Sequence, residues 1–266
     1  MATLSGKSIV VVGGTTGLGL SAAHALLHAG ARVVVFGRSQ ENVAAAQKEL
    51  GPAAHVFAAD AIHPEAADDA IRQCVERFGG FDGLYHVAGG SGRKYGDGPI
   101  HELSDQGWEE TLRLNLTSVA WSNRAAIRDF LRRRVPGTLL NMSSVLAWSP
   151  SPRHFATHAY AAAKSAILGL SRSLASTYAA DGIRVNVIAP ALVETPMARR
   201  AASDPAIQEF IRAKQPLDGG RIGTPADLDA AVVYFMSDAA RFTTGQVLAV
   251  DGGWDVSDGH FPADPA

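Results

Sequence analysis

The chain has 266 residues, enough for one large hydrophobic core or two small ones. With 47 % hydrophobic and 19 % charged residues it has the composition of a globular protein, and a formal net charge of −2 excludes a broad field for nucleic acid or an anionic membrane. The single cysteine, Cys74, excludes an internal disulfide and a zinc site of the usual Cys type, so no metal is expected.

The N-terminal stretch MATLSGKSIVVVGG has no apolar leader segment and runs straight into a strand, which points to the cytoplasm. SIVVV at 8–12 lacks polar alternation, as in a strand buried on both faces. Residues 20–30 have helical spacing and stop at Gly30; RVVVF at 32–36 is a second strand. The second helix spans 39–51, with Ser39 as N-cap and Gly51 as its stop. Strand three at 54–60 leads into a helix at 63–79, with Pro64 near its first turn and Cys74 as a small core residue. Strand four covers 81–89. The loop GSGRKYGDGPI follows, then a long helical region at 102–134. Its Arg132-Arg133-Arg134 end reads as a solvated face that complements the helix dipole. Strand five (137–144), a helix carrying YAAAK, strand six (182–190), a helix at 224–238 and a strand at 245–253 complete the chain. This alternation predicts one domain over 1–266. Its fold is α/β: a Rossmann-type, doubly wound parallel sheet of about seven strands with helices on both faces.

The turn GGTTGLG lies between the first strand and the first helix. Gly13 suits the tight turn, Gly17 lets backbone approach a diphosphate, and Gly19 lets the helix pack closely on the strand. A carboxylate at the end of the second strand would hold an adenosine ribose, but this sequence has Gly37 and Arg38 there. A guanidinium fork matches a 2′-phosphate, so NADP(H) is the preferred cofactor and NAD(H) the alternative.

In THAYAAAKSA, at 157–166, Tyr160 and Lys164 stand four apart in an alanine-rich helix. They then share a face, about 5–6 Å apart at Cβ. A nearby cation favours the phenolate and lowers its pKa, which suits Tyr160 to acid–base work near neutral pH.

Together these pieces resemble the classical short-chain dehydrogenase/reductase family along nearly the whole chain. The motifs fall in family order: VVGGTTGLG (11–19), Asp60 in AAD, HVAG (86–89), Asn115 in LRLNLTS, NMSS (141–144), YAAAK (160–164), RVNVIAP (184–190), VETPM (193–197) and GQVLAVDGG (245–253). The resemblance implies Tyr160 as general acid/base. Lys164 would lower its pKa and hold the nicotinamide ribose. Ser144, preferred over Ser143, would bond the substrate oxygen, and Asn115 would anchor a water in the proton relay. Thr15, Thr16 and Leu18 would join the three glycines around the cofactor; Asp60 and Ala61 would border the adenine. Ala88 and Gly89 would also touch the cofactor, while Pro190, Val193 and Thr195 would lie along the nicotinamide. Three positions depart from the family pattern. Val12 replaces a Thr, His86-Val87 replaces Asn-Asn, and Ala191 replaces a Gly. The first loses a hydroxyl that steadies a neighbouring strand, and the second an Asn that braces the sheet.

The implied function is hydride transfer between a nicotinamide and a small carbonyl or secondary-alcohol substrate. The rivals are a catalytically silent NADP-binding regulator and a C=C (enoyl) reductase. The substrate pocket is expected along 90–97, 146–156 and 192–212, with Trp148, Phe155, Leu192 and Met197 as an apolar wall. Arg93, Lys94, Arg153 and His154 stand in the same loops. The family also implies a homo-oligomer, a tetramer before a dimer, using helices around 102–134 and 158–180.

Overall fold

In β1 (Ser8–Val12) all five residues are buried, because the strand is covered on both faces. Ile9 and Val11 point into one core cluster, Val10 and Val12 into the other, as the period of two in a strand demands. The computed structural model describes residues 3–260; the single domain read over 1–266 extends beyond them at both ends.

α1 (Gly17–His28) leads to β2 (Arg32–Gly37), α2 (Gln40–Leu50), β3 (Ala54–Ala58) and α3 (Pro64–Phe78). Ser39 caps α2 by accepting from the Asn42 amide at 3.3 Å. β4 (Gly83–His86), α4 (Asp105–Leu112), α5 (Ser118–Arg133) and β5 (Gly137–Met142) follow. The chain then forms α6 (His158–Tyr178), β6 (Ile183–Pro190), α7 (Arg199–Ser203), α8 (Pro205–Lys214), α9 (Asp229–Met236) and β7 (Val247–Val250). The seven strands among the described residues are parallel, in the order β3-β2-β1-β4-β5-β6-β7. α1, α2 and α9 cover one face; α3, α5 and part of α6 cover the other. The strand order reverses between β1 and β4, so a crevice opens beyond their C-terminal ends. Among the described residues, no helix is long and apolar enough to cross a membrane.

The structure corrects several expected boundaries. Strand four is only Gly83–His86, because Val87 and Ala88 both turn their amides to the Val12 carbonyl, each at 2.9 Å. The helical region at 102–134 is broken by a π turn, Arg113–Thr117. There the buried Asn115 amide donates to the Thr111 and Gly90 carbonyls, both at 2.9 Å, in competition with the helix ladder. The stretch at 191–223 holds α7 and α8. The signal for α8 was present: Asp204 accepts from Ala206 and Ile207 ahead of Pro205. The arginine end of α5 is not simply solvated. Arg132 and Arg133 both pair with the buried Asp129, and Arg133 also donates to the Phe81 carbonyl at 2.6 Å. Cys74 is fully buried, and desolvation pushes its thiol up to about 12.

Candidate active site

Tyr160 stands in the first turn of α6, on the third helical residue. Thr157, the N-cap, makes no side-chain cap bond. The cap comes instead from the buried Asp97, whose Oδ1 accepts from the Ala159 amide at 3.1 Å and whose Oδ2 accepts from the Tyr160 amide at 3.0 Å. This carboxylate, carried by the loop after β4, fixes where α6 begins and hence where the phenol points.

One turn on, Lys164 is only 3 % exposed. Its ammonium donates to the Met142 carbonyl at 2.9 Å and lies 5.6 Å from the Tyr160 ring centroid. Desolvation lowers its pKa to about 8. Tyr160 corrects the sequence-based expectation. Burial raises its pKa to about 12, against a smaller lowering by a hydrogen bond with Ser144. The phenol responds first to burial, while the Lys164 ammonium is turned toward a carbonyl.

The two serines at the end of β5 have different duties. Ser143 donates to the Lys164 carbonyl at 2.8 Å and ties α6 to the sheet. Ser144 faces Tyr160 and accepts from the Leu146 amide at 3.2 Å. Asn115 stays behind the cavity wall, where its side-chain oxygen accepts from the Gly90 amide at 3.0 Å.

Ser144, Tyr160 and Lys164 line a cavity of about 300 Å³. Pro190, Ala191, Leu192, Val193 and Thr195 form one side; Gly89, Gly90 and Arg93 form another. A second cavity, about 610 Å³, opens over the glycine turn and holds Gly13, Thr15, Thr16, Gly17 and Leu18. Arg38, Asp60, Ala61, Ala88, Gly89 and Thr195 also face it. Leu18, Val87, Gly89 and Thr195 border both spaces, so the two cavities adjoin.

Gly19 faces neither cavity. A Cβ there would sit 2.3 Å from the Gly13 carbonyl oxygen, so it permits close packing of α1 on the turn. Gly13 and Gly17 take φ of +84° and +55°. α1 has no side-chain N-cap bond and no acid in its first turn, which leaves amide donors facing the cavity.

The expected apolar wall is partly revised. Phe155, Leu192 and Met197 do line the first cavity, but Trp148 does not. Trp148 is 37 % exposed and donates to Asp255 at 2.6 Å. The indole in the wall is Trp254, buried against Phe155 and Phe210. Its contacts come from distant parts of the chain, so its local sequence gave no sign of them. Lys94 is turned onto the Tyr95 ring, 4.6 Å from its centroid, and Arg153 does not face the cavity.

One departure from the family pattern has a visible substitute. His86, fully buried, replaces the bracing Asn. Its Nδ1 lies 2.7 Å from Ser122 Oγ and its Nε2 lies 3.1 Å from the Ala88 carbonyl.

Comparison with known proteins agrees with this architecture. A family model described as "Enoyl-(Acyl carrier protein) reductase" matches residues 12–255. The 3beta-hydroxysteroid dehydrogenase 1 of Eggerthella lenta is 36 % identical over 260 residues, spanning 96 % of each chain. The 2,5-dichloro-2,5-cyclohexadiene-1,4-diol dehydrogenase of Sphingobium indicum is 32 % identical, with 96 % of this chain and 99 % of that one covered. A short-chain type dehydrogenase/reductase from Mycobacterium ulcerans superposes with a TM-score of 0.87 at 30 % identity, covering 96 % of this chain and 92 % of that one. The matched length, the sheet order and the dehydrogenases among its relatives show that the chain belongs to the classical short-chain dehydrogenase/reductase family and is an oxidoreductase of that family.

Proposed function

We propose that the enzyme uses NADP(H) in preference to NAD(H), with Tyr160 as the proton donor and acceptor for a carbonyl or secondary-alcohol substrate. The observation that carries this reading is that the cavity lined by Tyr160 adjoins the cavity over the glycine turn. The glycine turn, the open amides of α1 and the Arg38, Ser39 and Asn42 side of the second cavity fit a phosphorylated dinucleotide. When bound, its nicotinamide supplies or accepts the hydride.

In the reducing direction Ser144 and Tyr160 donate hydrogen bonds to the substrate oxygen. Tyr160 then delivers its proton as that oxygen gains charge. Lys164, lowered to about 8, can exchange a proton near neutral pH and restore the phenol. Asn115 and Lys164 both approach Gly89, where a Cβ would lie 2.7 Å from Asn115 Oδ1 and 3.6 Å from Lys164 Nζ. That proximity supports Asn115 as the anchor of a relay water. Pro190, Val193 and Thr195, on the rim between the cavities, would position the nicotinamide. Assembly as a homotetramer is part of this reading, and the exposed Trp108 and Leu131 in the 102–134 region support it.

The description of the matched family model favours C=C reduction as a second reading. A panel of ketones and a 2-enoyl thioester, each supplied with NADPH, separates the two. Tyr160→Phe should bind NADPH almost as the parent does and lose roughly 10²–10⁴-fold in turnover. A variant keeping more than about a tenth of the parent rate would remove Tyr160 from its role. Titration with NADPH and NADH, followed by nicotinamide fluorescence, checks cofactor choice. Arg38→Asp should shift the preference toward NADH by about tenfold or more, and unchanged discrimination would reject the 2′-phosphate assignment.

A further inference from the structure

Two arginines from distant parts of the chain meet at the first cavity. Arg93 belongs to the loop after β4, and Arg200 to α7 after β6. Each donates from Nη2 to the same His154 carbonyl, both at 3.3 Å. Two guanidinium groups are thus held side by side on one neutral acceptor. Both side chains are exposed, yet their like charges, which repel at this distance, are held together on one acceptor.

Among the described residues, no carboxylate lines this cavity. Its charged residues are Arg93, Arg200 and Lys164. Among the described residues, neither Arg93 nor Arg200 forms an ion pair, although Arg113, Arg132, Arg133 and Arg221 each do. The nearby acid, Asp97, is committed to the two amides of α6. Desolvation first, then the charge of Arg200, lowers the pKa of Arg93, against a smaller raising by the charge of Asp97. The rest of the wall includes Val145, Leu146, Phe155, Leu192 and Trp254, so charge would be recognised beside apolar surface. A guanidinium has five donors, and the shared carbonyl leaves most of them on both side chains for a ligand.

We propose that the substrate carries an anionic terminus, a carboxylate, sulfonate or phosphate, which Arg93 and Arg200 clamp while its ketone or alcohol carbon lies at Tyr160. The clamp rests on the hydride-transfer reading for the placement of the reacting carbon, but its anion selectivity can be read by binding alone. An apolar spacer fits between the two ends, along Leu146, Phe155 and Trp254. The clamp orients the substrate and selects against neutral ketones.

The test uses methyl ketones with a terminal carboxylate, sulfonate or phosphonate, each beside its neutral methyl ester. Calorimetric binding to the protein with NADP⁺ is measured first, then NADPH-dependent turnover. The expected acid-to-ester ratio is roughly ten- to a hundred-fold in both affinity and kcat/KM for at least one anion class. Which class gives the largest ratio identifies the terminal group. Arg93→Met and Arg200→Met should each bring that ratio toward one, and Arg200→Lys should restore part of it. Raising the salt concentration should weaken the acid more than the ester. Ratios near one throughout, or ratios that both Met variants leave unchanged, overturn the clamp. Turnover of neutral ketones in that event would leave the oxidoreductase reading standing. Arginine-dependent binding of an anion without turnover would support the clamp and count against the proposed hydride transfer to these ketones. Absence of binding by every anionic ketone overturns the clamp.

Discussion

His86 shows how one side chain takes over a structural duty in different chemistry. A neutral imidazole has one N–H. The Ala88 carbonyl can only accept, so the proton belongs on Nε2, and Nδ1 accepts from the Ser122 hydroxyl. Desolvation, with a smaller push from Lys164, takes the imidazole pKa down to about 3. An unfolded histidine titrates near ~6.5. Between those values the unfolded chain binds more protons, so stability falls as the pH drops. His86 alone should contribute a slope of about 1.4 kcal/mol per pH unit below about pH 6.5. His86→Asn should remove that slope. Urea unfolding at about pH 7 and pH 5 checks it: the parent should lose about 2 kcal/mol more than the variant. Equal losses would mean that His86 is protonated in the folded protein.

α6 begins where Asp97 caps it. The helix interior is alanine-rich and needs little help, but its first turn carries the phenol, and the Thr157 side chain leaves it uncapped. Asp97→Ala should cost about 0.5–2 kcal/mol, the usual loss for a cap. It should also lower kcat more than it raises KM, because Tyr160 loses its fixed origin. Loss of stability with unchanged kcat would reduce Asp97 to a cap alone. α1 depends on Gly19 in a different way. A methyl group there meets backbone at 2.3 Å, which no side-chain rotation relieves. Gly19→Ala should destabilise by about 1–3 kcal/mol and weaken NADPH binding together, as read by thermal unfolding and fluorescence titration.

The molecule separates its load-carrying core from its substrate wall. Phe81 and Phe130 stack at 4.8 Å in the cluster beneath α3 and α5. Trp254 belongs to another cluster, with Val145, Ile207 and Ile211, at the first cavity. Phe130→Ala should therefore lose about 3–5 kcal/mol of stability while KM stays near the parent value. Trp254→Ala should raise KM as well, since it opens the cavity wall. Steady-state kinetics beside urea unfolding checks the contrast, and similar KM values in the two variants would reject it.

The sheet and its flanking helices were legible in the sequence because buried strands and amphipathic helices impose periodic patterns on the residues themselves. Ser8–Val12 is apolar throughout because both faces are covered, and Ser39 and Gly51 mark the ends of α2 because capping is local. The glycine turn, Tyr160 and Lys164 were legible for the same reason: each depends on neighbours a few residues away. Tertiary structure alone decided what depends on partners far along the chain. Asp97 caps a helix that begins about sixty residues later, and Trp254 displaces Trp148 from the cavity wall. Arg93 and Arg200 meet on a carbonyl contributed by neither of their own segments. The upward shift of Tyr160 belongs to the same class. Sequence spacing put a cation beside the phenol, but the shift follows from how much water the folded chain removes, which spacing does not encode.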